Sequence, residues 1–334
     1  MAKVELASGI YWVGAIDWNI RNFHGYTTPQ GTSYNAYLII DEKIALIDTV
    51  KAPFAQEMLD RIQEIVALEE IDYLISNHAE MDHSGSIPET MRYLTKASVV
   101  TSGRGKEGLL RHHKIDWPFI VVKEGMELSL GKHKLQFVEA PMLHWPDNML
   151  VYLKDQRILF SSDAFGQHIA SSYRYADEVS GVIPEAAKYY ANIVMPYAPM
   201  VIKALEKLRD TKVDIIAPDH GLIWRKAQDI ETIIGLYADW SQGKARDKIL
   251  IVYDSMWQST DKMAKALIEG IIREGVEVRL FNLSNTDSSD IIREVLDSKA
   301  ILVGSPTLNR GLFPTVAGFL AYLKGLRPKG LFGP

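Results

Sequence analysis

Four side chains able to hold a metal ion crowd into one short segment, His78-x-Glu80-x-Asp82-His83. The segment follows an apolar stretch read as a strand (73–76) and precedes a stretch read as a helix (88–94). Ser86 serves as the expected N-cap of that helix, with Pro88 in its first turn and Glu89 three residues past the cap. The cluster is therefore expected on a strand-to-helix loop, from which several ligands can converge. A chance match to H-x-E-x-D-H is expected in on the order of one chain in a thousand at this length. As a solvated turn it would crowd two histidines and two acids at a strand end without cause. Three more residues stand in equivalent places behind apolar strands: His144, Asp163 and His220. Each alone is weak, because a lone histidine at a strand end is more often a hydrogen-bonded structural residue. In chain order behind the first cluster, the three favour a site.

Four imidazoles and three carboxylates without a thiolate suit borderline-to-hard ions such as iron or manganese better than a soft-ligand zinc site. Seven ligands are too many for one ion, and a carboxylate between two ions can bridge them. Three negative charges against two divalent cations leave +1, which a bridging hydroxide would neutralise. Of the other histidines, His112, His113 and His133 stand among Arg111, Lys114, Lys132 and Lys134 and are expected at the surface. His24 and His168, in aromatic or glycine-bearing segments, fit either a role beside the ligands or in a substrate pocket, or a structural one. Tyr197 is a similar, weaker candidate.

Positioning these residues takes a folded frame, and the pattern of the chain divides near residue 246. Before it, strands are expected at 10–13, 35–40, 44–48, 73–76, 98–101, 134–139, 149–153, 157–161 and 213–217. Helices are expected at 54–65, 88–94, 185–208 and 227–240, a β-rich mixed α+β pattern. The polar segment 241–247 carries the helix-stopping Gly243. Beyond it, strands at 248–253, 277–282 and 300–304 alternate with helices at 261–274, 288–297 and 313–323, the βαβ signature of a doubly wound parallel sheet. The domains are therefore read as 1–246 and 247–334. The second carries three strands where a flavodoxin-like sheet has five.

The composition agrees. A length of 334 residues suits two domains, and 47% hydrophobic with 24% charged residues is globular, which excludes disordered, collagenous and coiled-coil chains. There is no long apolar run and no basic start followed by an apolar core, so neither a membrane span nor a signal peptide is read, and a cytoplasmic protein is expected. A net charge of −5 gives no support to nucleic-acid binding. With no cysteine, redox chemistry here requires a bound cofactor or a non-thiolate metal.

Over its whole length the sequence resembles the flavodiiron proteins, or A-type flavoproteins, on His78-x-Glu80-x-Asp82-His83, Pro141-x-x-His144-Trp-Pro-Asp, Asp163-Ala-Phe-Gly-Gln-His168 and His220-Gly-Leu-Ile-Trp. The resemblance implies a first domain of metallo-β-lactamase fold, an αββα sandwich. Zinc hydrolases of that fold generally carry histidine where Glu80 stands, so the carboxylate marks the redox branch. It also implies that His78, Glu80 and His144 hold one iron, that Asp82, His83 and His220 hold the other, and that Asp163 bridges.

In the second part, the segment from Asp254 through Ser255, Met256, Trp257, Gln258, Ser259 and Thr260 joins a strand to a helix. Hydroxyls and backbone N–H groups at a helix N-terminus form a phosphate cradle. Neither G-x-x-x-x-G-K-[ST] nor G-x-G-x-x-G is present, so a flavodoxin-type FMN phosphate loop remains. The segment after the third strand resembles the family's loop against the isoalloxazine ring, with Pro306, Thr307, Leu308 and Asn309 on the ring side. The chain ends before a second ring-contacting loop is recognisable, so the flavin domain reads as incomplete, with the third strand an unpaired edge.

The function expected from these features is reduction of dioxygen to water or of nitric oxide to nitrous oxide, at two irons resupplied by FMN. The resemblance implies rubredoxin or a comparable electron donor, and a head-to-tail homodimer or a dimer of such dimers. Two alternatives stand beside it: a di-metal zinc hydrolase of the metallo-β-lactamase fold, and a flavin-binding or diatomic-sensing module without turnover.

Overall fold

A computed structural model describes residues 4–331. The chain divides into two compact units. One comprises residues up to Arg21, Thr28–Ala186 and Lys203–Ile234; the other comprises Asn22–Thr27, Ala187–Ile202 and residues from Gly235 on.

The first unit is built on two sheets. The larger runs in the order Val4–Ala7, Ile10–Trp12, Tyr37–Ile39, Ile44–Ile47, Ile71–Ile75, Ser98–Ser102 and Phe119–Val122. Its first four strands pair antiparallel and the rest parallel. The smaller runs Glu127–Ser129, Lys134–Glu139, Met149–Leu153, Ile158–Phe160 and Ile215–Ala217, with only the last pair parallel. Side chains alternate across each strand. Tyr37, Ile47, Ile75 and Val100 therefore meet Phe137, Val151, Phe160 and Ala217 in one buried cluster between the sheets. Fully burying a side chain the size of Phe160 contributes about 2 kcal/mol. Leu38, Leu46, Leu74 and Val99, of opposite parity, are buried too, so the larger sheet is covered on both faces. The helix Ala55–Gln63 buries Ala55, Met58, Leu59 and Ile62, the i, i+3, i+4, i+7 stripe of a helix lying on a core.

The second unit has a parallel three-stranded sheet in the order Glu277–Asn282, Arg246–Tyr253, Ser298–Gly304. One face, with Ile251 and Tyr253, packs on Ala264 and Ile268 of the helix Ser259–Arg273. Ile291, Ile292 and Val295 of Ser288–Val295 and Phe319 and Leu323 of Pro314–Leu326 are buried as well. Buried Lys248 is neutralised by Asp297 and by Glu294 at 3.1 Å.

Mixed α/β architecture is thus found as expected, with local corrections. The helix expected at 185–208 is four pieces: Val182–Tyr189, a π-helical turn Tyr190–Val194, a 3-10 turn Met195–Tyr197 and Ala198–Leu208. Pro196 has no N–H to give and its ring crowds the preceding turn, which breaks regular helix there. The helix expected at 88–94 is a single turn, Ile87–Thr90, and Ser86 does not cap it; its hydroxyl accepts from Val50 N instead. An unforeseen helix, Gly103–His113, begins behind Ser102, whose hydroxyl caps Gly105 N at 3.0 Å. Its three glycines disguise it, yet close packing accounts for two of them. A Cβ on Gly105 would fall 2.1 Å from Thr101 Oγ1, and one on Gly108 would fall 3.0 Å from the Ala79 methyl. Among the described residues, no helix is long and apolar enough to cross a membrane.

Candidate metal centre and flavin loops

Strands of the first unit deliver all seven expected ligands to one place. His78 and Glu80 follow Ile71–Ile75, His144 follows Lys134–Glu139, Asp163 follows Ile158–Phe160 and His220 follows Ile215–Ala217. One expectation is corrected: Asp82 and His83 do not lie on a loop but on a short helical turn, Met81–Ser84, that begins inside the cluster. Buried polar groups pin these segments. Asp48, at the end of Ile44–Ile47, accepts from Asn77 N at 2.8 Å, and Asp147 accepts from Ala79 N at 2.8 Å. Asn35 donates to the carbonyls of Pro218 and Gly221 at 2.7 and 3.0 Å, beneath His220.

Asp163 stands at the centre, and its two oxygens face different partners. Oδ2 lies 2.8 Å from His144 Nε2 and 3.6 Å from His78 Nε2; Oδ1 lies 3.3 Å from His83 Nε2 and 3.6 Å from His220 Nε2. Glu80 Oε2 lies 3.1 Å from His144 Nε2 and 3.7 Å from His78 Nε2. On the other side, Asp82 Oδ2 is 3.1 Å from the Nε2 of both His83 and His220, which are themselves 3.1 Å apart. An ion bonded at roughly 2.1 Å holds neighbouring ligand atoms roughly 3.0 to 3.4 Å apart, so both groups fit a cation. His78 Nε2 and Asp163 Oδ1, both buried, have no hydrogen-bond partner among the described residues. Polar atoms so placed require one.

The electrostatics match this reading. Burial works against the charge of Asp163 and of Asp82, but the imidazoles around them, led by His78 and His83 respectively, hold both carboxyls well below the usual range. Burial likewise disfavours the imidazolium forms, yet Asp163 pushes His78 well up, Asp82 does the same for His83, and the hydrogen bonds to Asp163 and Glu80 push His144 up to about 9. The cluster is a sink for positive charge. Its open side is at His144 and Glu80, whose side chains are 11% and 17% exposed, whereas Asp82, His83 and His220 are at 4% or less.

His168 is buried; its Nδ1 lies 2.8 Å from Thr32 Oγ1 and its ring packs edge-on against His220, centroids 4.9 Å apart. His24, at φ +52 in the turn of the hairpin Asn22–Thr27, and Tyr197, half-buried in Met195–Tyr197, fall in the second unit. His133 is a correction. Rather than facing water, it is buried, its ring against Asp155 and its N–H donating to Asp41 at 2.7 Å, because the flanking turn folds it onto these acids. His112 is exposed as expected, and His113 is half-buried beside Trp117. Sequence reasoning missed Asp48, although an acid closing an apolar strand was the signal used for Asp163. It also missed Asn35, Asn148 and Ser162, which carry no such signal.

In the second unit, residues 254–258 lead into a helix that starts at Ser259, two residues earlier than expected. Ser259 and Thr260 therefore occupy its first turn, where N–H groups lack partners within the helix. Ser255 Oγ is buried without a hydrogen-bond partner among the described residues, which suits a hydroxyl that faces a phosphate. Gln258 turns the chain at φ +64, while Met256 and Trp257 are exposed, the latter at 86%. The segment holding Pro306–Asn309 forms a tight hairpin, Thr307–Leu308 against Gly311–Leu312, with Asn309 and Arg310 at φ +50 and +65. Gly304 brings the two loops together, since a Cβ there would fall 2.8 Å from the Thr260 methyl.

Two stacked sheets carrying a cluster of histidines and carboxylates that could hold cations, followed by a parallel sheet with a phosphate-type loop, define the class: a metallo-β-lactamase-like domain joined to a flavodoxin domain. The family model for the ODP family beta lactamase matches residues 32–221 and that for flavodoxin matches 251–333. The chain is 48% identical to a nitric oxide reductase of Moorella thermoacetica, over 99% of this chain and 84% of that protein. It superposes on the rubredoxin oxygen:oxidoreductase of Desulfovibrio gigas with a TM-score of 0.97 at 43% identity, covering 99% of this chain and 84% of that one. On the flavodiiron protein of Giardia intestinalis the TM-score is 0.95 at 38% identity, covering 100% and 83%. The chain belongs to the flavodiiron family. It is an oxidoreductase whose cofactors are a di-iron site and FMN.

Proposed function

We propose that His78, Glu80 and His144 hold one iron, that Asp82, His83 and His220 hold the second, and that Asp163 bridges them, in a reductase of dioxygen, nitric oxide or both. The observation that carries this reading is the division of Asp163, with Oδ2 toward His144 and His78 and Oδ1 toward His83 and His220. When bound, two ferrous irons and a reduced FMN supply four electrons, the number that takes dioxygen to two waters, of which two suffice to take two nitric oxides to nitrous oxide and water. The protein's part is placement and charge. Asp163 sets the spacing of the two ions, and the three carboxylates offset most of their charge. Partial exposure of Glu80 and His144 leaves that side for a diatomic ligand to enter. In the second domain, which we take to begin at about residue 247, Ser255, Ser259 and Thr260 hold the FMN phosphate through hydroxyl and helix N-terminal N–H groups. Met256, Trp257 and Gln258 form the rest of that loop, and Pro306, Thr307, Leu308 and Asn309 line the ring. Of the remaining candidates, His168 supports the ring of His220.

The relatives named for nitric oxide reduction and for rubredoxin-dependent oxygen reduction support both substrates, and a rubredoxin-like protein as donor. A head-to-tail dimer completes the reading. The test is gas consumption by the chemically reduced protein in a sealed cell. Sustained uptake of dioxygen or nitric oxide in proportion to protein is expected; binding without turnover would replace this reading with a diatomic sensor.

A further inference from the structure

We propose that Ser162 and Asn148 form a positioning relay that fixes the tautomer of His78, and with it the affinity of one metal position only. The inference rests on the ligand set proposed above. For His78 to offer a lone pair at Nε2, its single ring proton must sit on Nδ1, and that proton needs an acceptor. Ser162 Oγ lies 3.1 Å from Nδ1 and is the group in reach; Asp219 Oδ2, at 3.9 Å, is too far for a hydrogen bond. A serine hydroxyl has one proton. Ser162 directs it to Asn148 Oδ1 at 2.8 Å, so only its lone pairs remain for His78. The chain of donation runs His78 Nδ1–H to Ser162, then Ser162 O–H to Asn148.

Four features give the relay its stiffness. All three side chains are at most 1% exposed, so bulk water does not compete for the links. Ser162 is held at φ +51, a left-handed conformation that carries a cost for a residue with a β-carbon. Its carbonyl accepts from Asp219 N at 2.8 Å, which ties it to the segment before His220. Asn148 in turn closes the loop that bears His144, its N–H donating to the Trp145 carbonyl at 3.2 Å and its own carbonyl accepting from Ala140 N at 2.9 Å. The relay thus joins the segments of His78, His144 and Asp163, the residues around Asp163 Oδ2. At the other position His220 is oriented differently, by donating from Nδ1 to the backbone carbonyl of Ser33 at 2.8 Å. No side-chain substitution removes that acceptor.

The experiment uses the full chain loaded with ferrous iron and titrated with a competing chelator, with FMN content and melting temperature recorded on the same samples. Ser162→Ala and Ser162→Gly are expected to weaken one of the two irons by roughly 10- to 100-fold and leave the other at parental affinity. The glycine variant suits the left-handed backbone, so it separates loss of the hydroxyl from strain. Asn148→Leu, which removes the acceptor, should weaken the same iron, whereas Asn148→Asp, which keeps an acceptor, should retain both. Unchanged FMN content and melting temperature alongside selective iron loss support the relay. Parental affinity at both irons in Ser162→Ala and Ser162→Gly overturns it and leaves the ligand set standing. A parental chain that takes up no iron overturns both.

Discussion

Oδ2 of Asp163 lies 2.8 Å from Nε2 of His144, while the other oxygen of the same carboxylate faces away from that histidine toward His83. One acid thus belongs to both halves of the cluster, and His144 to one. Asp163→Ala is expected to remove both irons and to lower turnover by more than roughly 100-fold, the upper end of what loss of a mere supporting group costs. His144→Ala should leave about one iron per chain. Elemental analysis of the two variants distinguishes the roles; equal iron loss in both would contradict a shared carboxylate.

Glu80 puts a hard, charged oxygen where an imidazole would make the set softer and less negative. Glu80→His is expected to shift the metal taken up from equal ferrous and zinc ions toward zinc, with FMN content unchanged. The metal ratio after gel filtration reads this directly, and an unaltered ratio would show that Glu80 does not set metal choice.

The candidate site was legible because four of the expected ligands, His78, His144, Asp163 and His220, follow apolar strands, so that strand pairing carries them to one edge of the sandwich. The residues that orient those ligands were not. Ser162, Asn148 and Asn35 are small polar side chains whose partners lie at distant chain positions, and neither spacing nor composition reports such pairs. The helix Gly103–His113 was hidden for a related reason. Gly105 and Gly108 answer to contacts with Thr101 and Ala79, and a local propensity reading takes such glycines for a loop. In the second unit, regular alternation of apolar strands and amphipathic helices made the parallel sheet readable to within two residues.

Gly221 adopts φ +77 directly after His220, and a Cβ there would fall 1.7 Å from Gln167 Oε1 and 2.3 Å from the Gln167 carbonyl. Gly221→Ala therefore meets backbone as well as side chain and cannot be relieved by a rotamer change. A loss of about 3 kcal/mol is expected from overpacking plus the left-handed conformation, together with weakened iron binding through His220. Urea denaturation checks the first and iron content the second.

Protonation of the metal-free cluster gives its stability a definite pH dependence. His144 has its pKa raised from 6.5 to about 9, so its ion pairing with Asp163 and Glu80 stabilises fully below pH 6.5 and is lost as pH rises through 9. His78 and His83, also raised, add to the same trend. Asp82 and Asp163, held below their ordinary 3.8, contribute above that pH and lose their contribution as it falls further. The melting temperature of chelator-treated protein should thus be highest between about pH 4 and 6.5 and drop by about 5 °C or more by pH 9. Iron-loaded protein should lack this alkaline decline, because metal has displaced the protons. A metal-free melting temperature that rises from pH 6.5 to 9 would contradict the charge arrangement described here.

Metal and flavin equivalents measured on one preparation test the whole account most directly. Elemental analysis with the visible absorption spectrum should give two irons and one FMN per chain, as a bridged di-iron site beside a flavodoxin-type loop requires. Two zincs without flavin would contradict it and make the chain a hydrolase on the same fold.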